Sequence, residues 1–238
     1  KSRCSPVRDI SLLFSAPALT EDMKDSLRFS PPLPRLGEDF DPWETTGSYS
    51  RLFEAHSKGY AYPVFLPFQG LRANTEYRIQ ADAATVQDEF GRPLTRPMDI
   101  RISTDHLPPD YSLYKSIPVL EKGLDTDAPM LVTNIQRVDI RYEAMTLDGK
   151  TLPRTVTLPV SAPQDSTSVL PLGIRRLLPR SSGVILGEVA TQPAVSGRSD
   201  FENWFIAQVT PFHVHVKFGH HNTLVWLTDL QTGEPVPG

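Results

Sequence analysis

The sequence predicts an all-β chain of tandem antiparallel β-sandwiches, and three observations carry that prediction. Proline is unusually frequent, with 23 residues against 14 glycines. Proline has no N–H to donate and breaks helix interiors, so this many, spread along 238 residues, argue against a helical bundle and a long βαβ array. Apolar residues recur with a period of two in several short segments, as half-buried strands require. Turn signals separate these segments at roughly 8–12 residue intervals, the spacing of a sandwich.

In chain order, residues 10–16 (ISLLFSA) form a short strand-like run closed by Pro17. Residues 27–36 (LRFSPPLPRL) begin as a strand and dissolve into prolines. Residues 60–68 (YAYPVFLPF) alternate, but Pro63 and Pro67 mark an edge or irregular strand. Residues 76–86 place Tyr77 and Ile79 on one face and Arg78 and Gln80 on the other. Gly91 sits in the turn DEFGRP, and residues 98–104 (MDIRIST) put Met98, Ile100 and Ile102 on one face. The consecutive prolines in TDHLPPDYS (104–112) read as a semi-rigid linker. Beyond it, residues 130–135 and 137–145 read as strands, with Val138, Ile140 and Tyr142 sharing a face. LDGK (147–150) is a hairpin turn, because Asp-Gly accepts positive φ angles. TVTLPV (155–160) pairs back on the preceding strand, and SAPQDSTS (161–168) is a polar loop. LGIRRLLP (172–179) is the one plausible helical turn, and GVILGEVA (183–190) is a buried-type strand containing Gly187. From about residue 204 a third unit opens: Phe212, Val214, Val216 and Phe218 alternate with His213, His215 and Lys217, GHHN (219–222) turns, and TLVWLTDL (223–230) returns. The expected division is 1–105, 106–205 and 206–238, the last being either the opening hairpin of a third domain or closing strands of the second.

Composition removes several function classes. The formal net charge is −4, with 13 basic against 15 acidic side chains in 1–105 and 11 against 13 in 106–238, so no basic patch recommends nucleic-acid binding. The longest apolar stretches, such as LVWL at 224–227, fall far short of the ~20 residues that span a bilayer. The single cysteine, Cys4, excludes an intrachain disulfide and a Cys-based zinc site. The opening KSRCSPVRDI has no signal-peptide apolar region, and both ends read like cut points inside a longer polypeptide. Signatures of serine hydrolases, zinc proteases, P-loop nucleotidases and dinucleotide-binding folds are absent, so no catalytic residue and no cofactor is expected.

Two stretches resemble a known family. LRANTEYRIQADAATVQDEFGRPL (71–94) matches the Leu-x-x-Asn-Thr-x-Tyr … Asp-x-Phe-Gly-x-Pro-Leu pattern of bacterial Ig-like domains. FIAQVTPFHVHVKFGHHNTLVWLTDLQTGEPVPG (205–238) resembles the opening of a macroglobulin domain in bacterial alpha-2-macroglobulins, where a first strand precedes a Leu-Val-Trp-Val-Thr-Asp-Leu-x-Thr-Gly-x-Pro-Val hairpin. PPDYSLYKSIPVLEKG and VTNIQRVDIRYEAMT fit the same family. The resemblance implies Ig-like and macroglobulin sandwiches inside a very long periplasmic chain, of the subgroup without a lipid anchor. Its members trap proteinases after a bait region is cut. The implied partners are proteinases, reached through the full-length parent, neighbouring macroglobulin domains, and other periplasmic or inner-membrane proteins. The family thioester, a Cys followed by Glu-Gln, is not matched at RCSPV, so covalent capture does not reside in these residues. Cys4 reads as a small buried hydrophobe or an incidental thiol. The other reading is an Ig-like repeat of a surface adhesion protein, with a cell-wall-enzyme accessory domain further behind; the latter needs an aromatic platform, which only the Trp43 loop offers.

Three clusters invite chemistry. His213 and His215 are i and i+2 on a strand, so their imidazoles project from one face, and His220 and His221 occupy the adjoining turn. A divalent-metal site needs converging neutral imidazoles; solvent-facing or interface histidines are the alternative. The loop 37–49 crowds Glu38, Asp39, Asp41 and Glu44 beside Phe40 and Trp43. Those aromatics could anchor a partner or cap the sandwich core, and the loop lacks the EF-hand spacing that calcium would want. Arg175, Arg176 and Arg180 read as a structural turn before a phosphate site or a proteinase-sensitive bait.

Overall fold

The computed structural model describes all residues except 1–2, 9, 17, 19, 34–52, 56–58, 67–70, 89, 114–116, 147–148 and 238. It is all-β and divides into two compact units, 1–107 and 108–238.

In the first unit, strands β1 (Ser11–Phe14), β4 (Gly59–Phe65) and β3 (Phe53–Ala55) form one three-stranded sheet in that order. Strands β2 (Arg28–Ser30), β5 (Glu76–Ala81) and β6 (Met98–Ser103) form another. Their inward residues make one core: Val64 and Leu66 meet Ile79, Ala81 and Val86, with Leu12, Phe14, Ile100 and Ile102 packed against them. The expected turn at Asn74–Thr75 is present. Asn74 adopts φ 46°, and the buried Thr104 hydroxyl donates to the Arg72 carbonyl at 2.6 Å and accepts from the Thr75 N–H at 2.9 Å. That turn delivers Tyr77 and Ile79 to full burial.

Two expectations for this unit need correction. Pro63 does not put its strand on an edge, because β4 is the central strand of its sheet. Among the described residues β3 pairs with β4 from Phe53↔Ala61 to Ala55↔Gly59, and Pro63 lies opposite Leu13 of β1. Residues Thr20–Ser26 form a helix, α1, so the turn near 174 is not the sole helical segment. Its sequence, TEDMKDS, offers a single apolar residue and hence no period to read; Met23 fills the core, and its carbonyl accepts from the Leu27 N–H at 2.9 Å. Pro17 and Pro67 lie outside the described residues.

In the second unit, strand β7 (Asp110–Leu113) pairs with β9 (Pro129–Thr133), which also pairs with β13 (Thr167–Pro171). The facing sheet runs β10 (Arg137–Thr146), β14 (Gly183–Gln192), β15 (Trp204–Thr210), β8 (Val119–Glu121), with β11 (Gly149–Lys150) and β12 (Arg154–Pro159) both on the free flank of β10. One pair, β15 with β8, is parallel, an exception to the expected antiparallel pattern. Between the sheets, Tyr111, Met130 and Val132 meet Val138, Ile140, Ala144, Ile185, Phe205, Ala207 and Val209. Gly187 lies opposite Phe205 in the β14–β15 ladder, and any side chain there would occupy the space of the Phe205 ring. The expected return of 155–160 onto 137–145 is present as β12 on β10. Residues 110–112 and 167–168, expected as linker and loop, are strand instead, because Tyr111 and the Thr167 hydroxyl have partners the local sequence does not show: the buried core, and Thr133 Oγ1 at 2.9 Å.

After Pro211, strands β16 (Phe212–Phe218) and β17 (Thr223–Asp229) form a separate two-stranded ribbon.

Candidate functional site

The ribbon is exposed along most of its length. Every residue of β16 and the first four of β17 are exposed. Pro211 breaks the backbone between β15 and β16, and the ribbon is tied at that point: the Leu230 N–H donates to the Pro211 carbonyl at 2.9 Å and the Lys122 N–H to the Thr210 carbonyl at 3.0 Å. At the far end the Gly219 N–H donates to the Asn222 carbonyl at 2.7 Å, and a side chain at 219 would run into Asn222. Asp229 closes the near end, its carboxylate accepting from the Gln231 and Thr232 N–H groups at 2.9 Å each. The following tail folds back, with the Val236 N–H donating to the Leu227 carbonyl at 3.0 Å.

Register defines two faces, since directly paired residues in an antiparallel ladder share a side. One carries Phe212, Val214, Val216 and Phe218 with Leu227 and Val225 opposite them. It is apolar and uncovered, Phe218 being 81% exposed. The other carries His213, His215 and Lys217 opposite Thr228, Trp226 and Leu224. Here a shallow groove of about 450 Å³ is lined by His215, Lys217, Leu224, Trp226, Thr228 and Gly233.

A second exposed apolar surface lies on the outer side of the larger sheet. Exposed Trp204, Ile206, Val119 and Met145, with half-buried Leu186, alternate there with the buried residues of β8, β10, β14 and β15. Arg141 and Glu188 are cross-strand neighbours beside Trp204, and Glu143 pairs with Lys150. Arg141, Glu143, Glu188, Leu186 and Trp204 border a depression of about 140 Å³.

The structure sorts the sequence candidates. Phe40 and Trp43 lie outside the described residues. The four histidines form two separate ring pairs, His213–His215 with centroids 4.2 Å apart and His220–His221 with centroids 4.7 Å apart. No group of three or more His, Cys, Asp or Glu residues arranged for a metal occurs among the described residues. The Arg175–Arg176 turn is helix α2 (Ile174–Leu177), and it is built in: Arg175 donates to the carbonyls of Glu121 at 2.5 Å, Lys122 at 3.3 Å and Thr126 at 3.1 Å. Asp127 holds its start, accepting from the Gly173 and Ile174 N–H groups at 2.6 and 3.0 Å. Cys4 is half-buried and bridges backbone to backbone beside Thr104, its N–H donating to the Ser103 carbonyl at 2.8 Å.

Sequence reasoning missed the Arg198 clasp. The Arg198 guanidinium lies 4.0 Å from the Tyr111 ring centroid, bonds Asp110 Oδ1 at 2.6 Å and donates to the Tyr111 carbonyl. The Tyr111 hydroxyl donates to Asn203, and burial pushes that phenol above its ordinary range, with Arg198 opposing. Nothing local marks Arg198, because its partners lie some 87 residues away in sequence. Trp204 and Ile206 were equally hidden: their alternation reads as a strand but does not say which face is covered.

No protein-family model and no curated protein sequence matches the chain. Solved structures do. A Salmonella alpha-2-macroglobulin variant matches 95% of this chain at 11% identity with a TM-score of 0.50, and this chain spans 16% of that one. A fragment of native alpha-2-macroglobulin from Escherichia coli matches 96% of the chain, and 75% of its own length, at 14% identity with a TM-score of 0.47. At such identities the likeness is one of fold.

Proposed function

We propose that this chain is a non-catalytic structural module of a bacterial alpha-2-macroglobulin, a periplasmic protein that traps proteinases. The observation that supports the reading is the fold likeness to the Salmonella alpha-2-macroglobulin across 95% of the chain. The hairpin motif at 205–238 points the same way. In this reading residues 1–105 are an Ig-like sandwich, and the macroglobulin-like sandwich expected over 106–205 runs on to Thr210, because Ala207 and Val209 of β15 lie in its core. The ribbon Phe212–Asp229 opens a third, whose remaining strands, elsewhere in the parent polypeptide, cover the apolar face of Phe212, Val214, Val216 and Phe218.

The role follows from the physics of the two cores. Burial between sheets stabilises by about 25 cal/mol per Å² of apolar surface, which makes each sandwich a rigid body. Cleavage of a bait segment elsewhere in the parent moves such bodies against one another, and this chain supplies part of that frame. Partners are the proteinase, engaged by the parent as a whole, and the neighbouring domains.

The test uses the full-length parent and a panel of proteinases, with residual activity measured on a large protein substrate and on a small chromogenic peptide. The reading predicts that cleavage of the large substrate falls while cleavage of the small one persists. Equal cleavage of both by every proteinase overturns it.

A further inference from the structure

We propose that His213 and His215 form a two-imidazole chelate for a late first-row divalent ion, Cu²⁺ before Zn²⁺. Both residues lie on the same side of β16, both are exposed, and their rings meet edge to face with centroids 4.2 Å apart and planes at 87°. Two imidazoles bound cis to one ion, each with a metal–nitrogen bond of about 2.0–2.1 Å and near 90° at the metal, hold their centroids roughly 4.5 Å apart. The centroid spacing in the ribbon is therefore within a few tenths of an ångström of that in the chelate, and both side chains face solvent, where rotation can turn their nitrogens toward one ion. The β-ladder supplies the rest of the preorganisation. Residues i and i+2 of a strand project in parallel, and the full register from Phe212↔Asp229 to Phe218↔Thr223 keeps β16 extended.

The donor set selects the ion. The face that carries the pair presents His213, His215 and Lys217 from β16 and Leu224, Trp226 and Thr228 from β17, with no carboxylate or thiolate among them. Ca²⁺ and Mg²⁺ want six or more oxygens and are not served here. Imidazole suits Cu²⁺, Ni²⁺ and Zn²⁺, and for a given nitrogen site affinity peaks at Cu²⁺. Water fills the remaining positions on this open face. His220 and His221 form their own ring pair on the turn and take no part.

Trp226 is paired with His215 across the ladder, so its indole reports occupancy. A paramagnetic Cu²⁺ ion on His213 and His215 quenches Trp226 emission. The experiment titrates the whole chain with CuCl₂ in a non-coordinating buffer and follows tryptophan fluorescence, with Trp226→Phe identifying the share of the signal that belongs to this site. The proposal expects His213→Ala and His215→Ala each to weaken the quenching transition by on the order of 100-fold, because each removes one arm of a linked pair. The double variant His220→Ala/His221→Ala is expected to titrate like the unsubstituted chain. Either single variant titrating like the unsubstituted chain, or loss of the transition in the turn variant, overturns the assignment. The four variants alter exposed side chains only, so far-UV circular dichroism is expected to remain unchanged.

Discussion

Arg78 and Asp99 show how a diagonal cross-strand pair on the outer face of β5 and β6 ties pH to stability. The guanidinium binds the carboxylate through both oxygens, at 2.8 and 2.6 Å. The Arg78 hydrogen bond holds the Asp99 carboxyl below its ordinary 3.8, with desolvation opposing and the Arg78 and Arg101 charges assisting. A group whose folded-state pKa is depressed stabilises above its unfolded value and loses that contribution as pH falls through the folded one. The unfolding midpoint of the first unit is therefore expected to fall as pH drops from about 4 downwards, and Asp99→Asn to flatten that slope in urea titrations at several pH values. Some slope remains in the variant, because Asp88 is lowered as well: burial opposes its ionisation, and the hydrogen bonds from Arg92 and from the Phe90 N–H outweigh that. An unchanged slope in the variant would remove the Arg78–Asp99 pair as the cause.

Strands β10 and β16 carry similar alternation and meet different fates. Val138, Ile140 and Tyr142 on β10 are buried between two sheets, while Val214 and Val216 on β16 face solvent. Ile140→Ala is expected to cost about 2–5 kcal/mol in urea unfolding of the second unit, from lost transfer energy plus a cavity. Val216→Ala is expected to stay within about 0.5 kcal/mol, as exposed substitutions do. A large loss for Val216→Ala would mean that the apolar face is already covered within this chain. The same contrast explains what was legible in the sequence. Period-two alternation located β5, β6, β10 and β16, because inward and outward residues differ in kind there, and strand-like runs beside turn signals located β9, β12, β14 and β17; Leu147 and Asp148 of the expected Asp-Gly turn lie outside the described residues. It could not locate β13, where polar Thr167 and Ser168 are held by a partner strand, or α1, where the single apolar residue Met23 leaves no stripe. Nor could it distinguish a covered apolar face from an open one, since burial is set by neighbours far along the chain. The candidate sites divided in the same way. The His213–His215 pairing followed from strand geometry, whereas the Arg198–Tyr111 clasp and the open Trp204 face depend on tertiary packing alone.

Taken as a whole, the molecule is two self-sufficient cores followed by a ribbon without one. Each unit buries its own apolar cluster, with no ribbon residue in either. A two-stranded ribbon is only marginally stable in water, and a contiguous uncovered apolar face marks a surface that packs against something else. Under the proposed function the ribbon opens a third sandwich of a longer macroglobulin-type protein. Hydrogen exchange measured by mass spectrometry tests it most directly, comparing residues 212–229 in this chain with the same residues in the parent polypeptide. Exchange over the ribbon is expected to slow by about tenfold or more in the parent, as ~1.4 kcal/mol of added protection gives, while β10 and β14 exchange alike in both. Equal exchange of the ribbon in the two contexts would contradict it.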